Sequence, residues 1–310
     1  MNETISGPVD GKFMGYCPFC GKPMLFAAEH TLITTTCPVC TAPIAFAKQQ
    51  NADRDTQGYE IIPATVGESF TKNGYVVENG LLLRYEGADT AIVIPSEVVA
   101  IAPDTFKENL KIKSVVVSDS VKFIGNEAFM GCEGLRELYL SKSLISIGNA
   151  AFSHCRRLTH ITLPEGLRAG GYAIFNTCEN LTTLLMPMNM AFLGGSPYGF
   201  CKKLRVANIP HCVKEPGPAW FQYNDSLEIL TVGKNVKTLS CPSRVLREAH
   251  FYHTEGWETL PYAWGEASEA ISPRELQNPK SAATLLRKLS RASKSIHRPD
   301  APNEEYWHVL

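Results

Sequence analysis

Residues 129–155 read FMGCEGLRELYLSKSLISIGNAAFSHC, and the end of that stretch begins to repeat its start. Phe129 returns as Phe152 and Cys132 as Cys155, each 23 residues later. The same interval leads on to Phe175 and Cys178, then to Tyr198 and Cys201. Three residues after the four cysteines stand Leu135, Leu158, Leu181 and Leu204. Two further columns run Leu138, Ile161, Leu184, Ala207 and Leu140, Leu163, Met186, Ile209. One period earlier, Phe106, Asn109, Ile112, Val115 and Val117 stand in register. One period later, Phe221, Asn224, Leu227, Leu230 and Val232 do the same. Chance does not keep so many columns aligned through six copies, so this is a repeat array.

Each copy holds an L-x-x-L-x-L stretch whose alternate residues point inward, the period of a strand. The segment that follows, such as Ser143 to Cys155, is too short for a long helix. Gly148 turns the chain there, and Ala151 and Phe152 fill the interior. No copy can close a core alone, so copies stack and bury their leucines and phenylalanines against neighbours. Strands stacked about 4.8 Å apart make a parallel ladder, and some eight rungs make a curved solenoid about 40 Å long. Leu246, Ala249 and Phe251 follow Leu227, Leu230 and Val232 by only 19 residues, which predicts a shortened closing rung. Gly170 interrupts the isoleucine column, and residues 186–218 are rich in glycine and proline.

The stretches LTHITLPEGL (158–167) and LISIGNAAFSHC (144–155) resemble the BspA-like leucine-rich repeats. Those repeats read L-x-x-I-x-I-P, then I-G, A-F and a cysteine. Phe70 to Pro95 likewise resembles the hairpin that opens such arrays. The resemblance covers roughly residues 68–262. It implies a mainly β leucine-rich repeat solenoid that recognises a partner, with no catalytic residues to carry over. Many members are surface or secreted proteins. Here the N-terminal MNETISGPVDGKF has neither a basic n-region nor an apolar h-region, so a cytoplasmic location is expected.

Composition agrees with a folded, elongated chain. Its 310 residues exceed what one core usually serves, and 44% are apolar against 20% charged. Thirty basic and thirty-one acidic residues leave a net charge of -1, which gives no whole-chain affinity for polyanions. Mean hydropathy is -0.10, and no apolar run is long enough to span a bilayer.

Four of the ten cysteines precede the array, as Cys17-Pro-Phe-Cys20 and Cys37-Pro-Val-Cys40. A C-x2-C turn aims two thiolates at one centre about 2.3 Å away, and two turns complete a tetrahedron. Residues 1–48 therefore read as a zinc ribbon, with short strands at Met24–Phe26, Thr31–Thr36 and Ile44–Phe46. All four ligands are sulfur, so no position stays open for catalysis and the Zn2+ is structural. Three lysines balance three acids in this segment, and four thiolates on one zinc ion add about -2. Nucleic-acid binding is disfavoured by that charge, and folding or protein docking is preferred.

Residues 49–67 read as a linker, 68–262 as the solenoid, and 263–310 as a basic helix and tail. The periodic cysteines read as buried thiols rather than disulfides, because Asn109 and Asn224 share their column and can likewise cap backbone groups. His250 and His253 form an H-x-x-H pair that reads as surface histidines. Gly194 to Gly199 misses the nucleophile-elbow spacing, and no P-loop or H-E-x-x-H occurs, so no enzyme is expected. A helix is predicted from Ser281 to Ile296, with Ala282, Leu285, Leu286, Leu289, Ala292 and Ile296 on one face. Lys280 to Arg298 carries six basic residues and no acid, which suits anionic lipid or an acidic partner. Packing against the array's end, or partial disorder, is the plainer reading.

Between the inward leucines, two columns face outward. One runs Ser114, Glu137, His160, Thr183, Val206, Ile229 and Glu248. The other runs Val116, Tyr139, Thr162, Leu185, Asn208, Thr231 and His250. Glu137, Tyr139, His160, Thr162, Leu185, Val206 and Ile229 are the candidate partner-binding residues, Tyr139 being the natural anchor. The expected function is a non-catalytic protein–protein interaction or scaffold module. The alternative is a nucleic-acid-associated regulator using the ribbon and the basic helix.

Overall fold

The computed structural model describes residues 12–17, 19, 23–27, 32–37, 39–48, 59–63, 67–260, 268–291 and 294–299. The N-terminal segment contains two antiparallel sheets. β1 (Lys12–Tyr16) pairs with β2 (Pro23–Ala27), and β3 (Leu32–Thr36), β4 (Pro43–Lys48) and β5 (Tyr59–Pro63) form the second. β5 falls inside the stretch read as linker, where its pairing with β4 was not anticipated.

An antiparallel meander then opens the array: β6 (Phe70–Lys72), β7 (Tyr75–Glu78) and β8 (Leu81–Tyr85). Its turns are Asn73-Gly74 and Asn79-Gly80, all four residues at positive φ, as the tight hairpin turn that matches strand twist requires. From β8 the array pairs in parallel, and up to Phe192–Leu193 its strands fall into two ladders rather than the single one expected.

The first ladder is the L-x-x-L-x-L series. Ala91–Val93, Ser114–Val116 and Glu137–Tyr139 form one sheet, with Ser114 opposite Glu137 and Val116 opposite Tyr139. Thr183–Leu184, Val206–Ile209, Ile229–Val232 and Glu248–Phe251 form another. Between the two sheets His160 makes only an isolated bridge to Thr183, so the ladder is interrupted where a continuous face was expected. The shortened rung is present, Ile229 pairing with Glu248 and Val232 with Phe251.

The second ladder continues from β8 through Ala100–Ile101, Phe123–Ile124, Ser146–Ile147, Ala169–Gly170 and Phe192–Leu193. Each of the last five strands is two residues long, and after four of them a glycine makes the corner. A Cβ on Gly148 would lie 2.4 Å from Asn126 N and 2.6 Å from the Gly125 carbonyl carbon, so only glycine lets rungs approach this closely. Asparagine stitches the same corner: Asn126 Oδ1 accepts from Asn149 N, and Asn149 Oδ1 from Tyr172 N, each at 2.8 Å.

The interior is what the columns specify. Phe106, Phe129, Phe152 and Phe175 stack with centroids 4.8, 5.2 and 5.5 Å apart, and Tyr198 stacks on Phe221 at 5.5 Å. Leu135, Leu158, Leu181, Leu204 and Leu227 are fully buried beside them. On the rim, Glu133, Arg156, Glu179 and Lys202 occupy one column with alternating sign, linked at 3.3, 3.8 and 3.1 Å. Such exposed pairs contribute about 0–1 kcal/mol each, and they favour this register over a slipped one.

A solenoid end would leave apolar interior uncovered. Here the closing rung is covered by α1 (Pro273–Gln277) and α2 (Pro279–Arg291), which bury Leu276, Ala282, Ala283, Leu286 and Leu289. The described helix runs Pro279–Arg291 where Ser281 to Ile296 is predicted, and Ala292 lies outside the described residues. Ile296 belongs to the strand Ser295–His297, which pairs antiparallel with Thr238–Leu239 and Glu258–Leu260. Among the described residues no helix is long and apolar enough to cross a membrane.

Candidate functional site

The strand face comes first. Pleat alternation turns Leu138 and Leu184 into the core and leaves Glu137, Tyr139, His160, Thr162 and Leu185 outside. Val206 and Ile229 are half-buried on the same side. Tyr139 is 60% exposed and Leu185 50% exposed, two rungs apart, or about 10 Å at the strand spacing. The ladder interruption lies between them.

Asn208 departs from the expected outward column. Its Nδ2 donates to Met186 O at 2.7 Å and its Oδ1 accepts from Met186 N at 2.8 Å. Its own carbonyl accepts from Tyr198 OH at 2.7 Å. An amide can fold back onto the preceding rung's backbone in this way, and it is buried as a result. At the C-terminal end of the face, Ile229, Thr231, His250, Phe251 and Tyr252 line a cleft of about 430 Å³. His250 Nε2 meets Glu248 Oε2 at 3.0 Å, and Tyr252 packs edge-on against His211 at 4.7 Å. Tyr252 was missed because it lies one residue beyond the last strand, outside both columns.

In the N-terminal segment, Cys17 follows β1, Cys37 follows β3, and Cys40 stands three residues before β4. All three are buried, and their Sγ atoms lie within 4.8 Å of one another, Cys17 and Cys40 at 3.7 Å. The second turn is closed by Thr41 N donating to Cys37 O and Cys37 N to Ala42 O, both at 2.9 Å. Cys20 lies outside the described residues.

The cysteine turns also touch the array. Phe19, between Cys17 and Cys20, is fully buried with its ring 5.2 Å from that of Phe123. Around them cluster Leu81, Ala100, Ala102 and Ala169, with Val39, Leu83, Ile145 and Phe192 at the edge. The outer side of the second ladder is therefore an apolar strip covered by the cysteine turns. The sequence did carry a signal for it: Ala100-Ile101, Phe123-Ile124 and Phe192-Leu193 are apolar at consecutive positions, as strands buried on both faces are.

The periodic cysteines are buried, one to a rung. Cys132, Cys155, Cys178 and Cys201 donate to the carbonyls of Phe106, Phe129, Phe152 and Phe175 at 3.1 to 3.3 Å, one thiol per rung. Asn224, in the same column, accepts from Cys201 N at 3.0 Å. The column caps turn backbone, as its mixed thiol and amide composition suggested. Burial pushes the Cys132 and Cys201 thiols up to about 12, and those of Cys155 and Cys178 rise for the same reason.

Unfolded thiols ionise near pH ~8.5 while the folded ones stay protonated. The thiol contribution to stability is thus intact below about pH 8.5 and lost as pH rises toward 12. A denaturation series from pH 7 to 11 should show that decline, with native labelling of the four column thiols slow and all four found reduced after unfolding. Cys155→Asn should be tolerated better than Cys155→Leu, which overpacks by about 1–3 kcal/mol. A mapped 132–155 or 178–201 crosslink would contradict this picture.

No curated protein matches the sequence. The chain is similar to the leucine rich repeat protein of T. pallidum, 26% identical over 54% of this chain and 85% of that one, at a TM-score of 0.49. It is also similar to a leucine-rich repeat protein of Bacteroides ovatus, 22% identical over 61% of this chain and 52% of that one, at a TM-score of 0.50. It spans about half the length of the Bacteroides protein. Residues 99–228 match the BspA type leucine rich repeat region in six copies. Those six copies are similar to the BspA type, and the fold shared with the Bacteroides protein is that of a leucine-rich repeat solenoid.

Proposed function

We propose that the protein is a non-catalytic interaction scaffold whose protein partner lies along the outward face of the first ladder. The observation that carries this is the exposure of Tyr139 on its strand and of Leu185 just past the strand Thr183–Leu184, beside the buried Leu138 and Leu184. Backbone held by cross-rung hydrogen bonds lowers the ordering cost on binding, and a tyrosine supplies a large, amphipathic anchor. Around them Glu137, His160 and Thr162 form a polar rim that sets orientation more than strength.

The cysteine segment is proposed to hold one structural zinc ion. Tetrahedral Zn–S bonds of 2.3 Å space the sulfurs about 3.8 Å apart, and Cys17 and Cys40 stand at 3.7 Å. Cys17, Cys37 and Cys40 fit three corners, and Cys20 would complete the set. Bound there, zinc supplies a crosslink between two small sheets that have little core of their own. Zinc thiolates and a column of reduced thiols both persist in a reducing compartment, which supports a cytoplasmic location.

The test is recovery of partners from native lysate on the full chain, with and without nuclease. Proteins that stay bound after nuclease treatment support the scaffold reading. Partners lost on nuclease treatment would overturn it in favour of nucleic acid. The buried apolar face of α2 already removes the amphipathic surface that a membrane-lying helix would need.

A further inference from the structure

The basic C-terminal segment has its apolar face buried, yet its charges remain to be explained. Where α2 crosses the closing rung, a cavity of about 460 Å³ is lined by Cys241, Arg244, Arg287, Ser290 and Arg291. Three arginines from two segments of chain line it. Arg287 and Arg291 stand at i and i+4 of α2, on one helix face, and Arg244 comes from the turn before the last ladder strand. None of the three pairs with a carboxylate among the described residues.

The simpler account is the helix dipole, which favours cations in the last turn. It covers Lys288 and Arg291. It gives no reason for Arg244, on another segment, to line the same cavity, nor for Arg287 to be half-buried. Elsewhere on the rim, charges alternate in sign from rung to rung, so three gathered like charges stand out. The walls are also fixed. Arg287 Nη2 donates to Thr284 Oγ1 at 3.1 Å, and Thr284 Oγ1 donates to Lys280 O at 2.9 Å. On the opposite side, Cys241 Sγ donates to Ser243 O at 3.1 Å.

We propose that this cavity binds the phosphoryl group of a small anionic ligand. Guanidinium forks match phosphate oxygens two at a time, and Ser290 adds a hydroxyl donor. The volume lies within the usual ~300–1,000 Å³ of small-molecule sites, so the ligand has room for a body beyond its phosphate. The site shares no lining residue with the proposed partner-binding set and does not depend on the partner-binding reading.

Calorimetric titration of the full chain at constant ionic strength tests this, using inorganic phosphate and glucose 6-phosphate as probes. Saturable one-to-one binding is expected, weakened tenfold or more in Arg244→Gln and in Arg287→Gln. Arg244→Lys keeps the charge and should recover only part of the loss. Tighter binding of the ester than of phosphate assigns a phosphorylated small molecule, and equal binding assigns phosphate itself. Arg244 is an exposed turn residue, so its substitution leaves the fold in place. Heat no different from a sodium chloride control, or equal binding by the wild type and both glutamine variants, would overturn the proposal.

Discussion

Phe152→Ala is expected to destabilise the solenoid by about 3–5 kcal/mol, the range for removing a fully buried phenylalanine. Its ring lies between Phe129 at 5.2 Å and Phe175 at 5.5 Å, in the middle of the aromatic stack. Truncation opens a void against rungs on both sides, and the cross-rung backbone bonds Phe152 N to Ile174 O and Phe129 N to Ala151 O resist collapse into it. Because each rung contacts only its neighbours, the cost falls at one point on a nearly one-dimensional chain of interfaces. The two halves should then uncouple, and the solenoid's urea transition should be broader than in the wild type or split. Phe152→Leu, which keeps most of the volume, should cost much less. A loss below 1 kcal/mol for the alanine variant would mean that the stack is not what joins the rungs.

The second large effect concerns the metal. Purified protein should carry about one zinc ion per chain, and Cys37→Ser or a strong chelator should release it. Structural zinc sites supply roughly 10–16 kcal/mol of apparent folding free energy in small zinc modules, so its loss should unfold the N-terminal segment completely. Phe19 would then leave Phe123, and the strip of Leu81, Ala100, Phe123 and Ala169 would meet water. Dye binding to exposed apolar surface should rise sharply while the solenoid's melting transition persists. Zinc retained in the Cys37→Ser variant, or a metal-free protein with no gain in dye binding, would contradict the site.

The repeat made much of this legible. Phenylalanine, leucine and cysteine columns all proved to be interior, because a fixed 23-residue period forces equivalent positions into equivalent contacts. The shortened rung at Leu246 could be read for the same reason. The second ladder is legible only in part: Ala100-Ile101, Phe123-Ile124 and Phe192-Leu193 are apolar in succession, whereas strands such as Ser146–Ile147 are too short to show periodicity. Asn208 sat at an outward position, and its inward fold depends on a backbone partner 22 residues earlier that no local pattern announces.

The C-terminal segment marks another limit. Its amphipathic face could be read, but the surface it covers could not. Ile296 fits the 3.6-residue spacing of the helix, whereas pairing with Leu239 and Thr259 claims it for a strand. The arginine cavity escaped notice because Arg244 belongs to the array and Arg287 to the helix, and only the fold brings them together.

The measurement closest to the central claim is the affinity of a recovered protein partner for the wild type and for the double variant Tyr139→Ala, Leu185→Ser. Both side chains are exposed, so the variant should melt with the wild type. Loss of an aromatic anchor and its apolar neighbour typically costs about 2 kcal/mol or more, so binding should weaken at least tenfold. Unchanged affinity in a folded variant would contradict the account and move the interface off the ladder face.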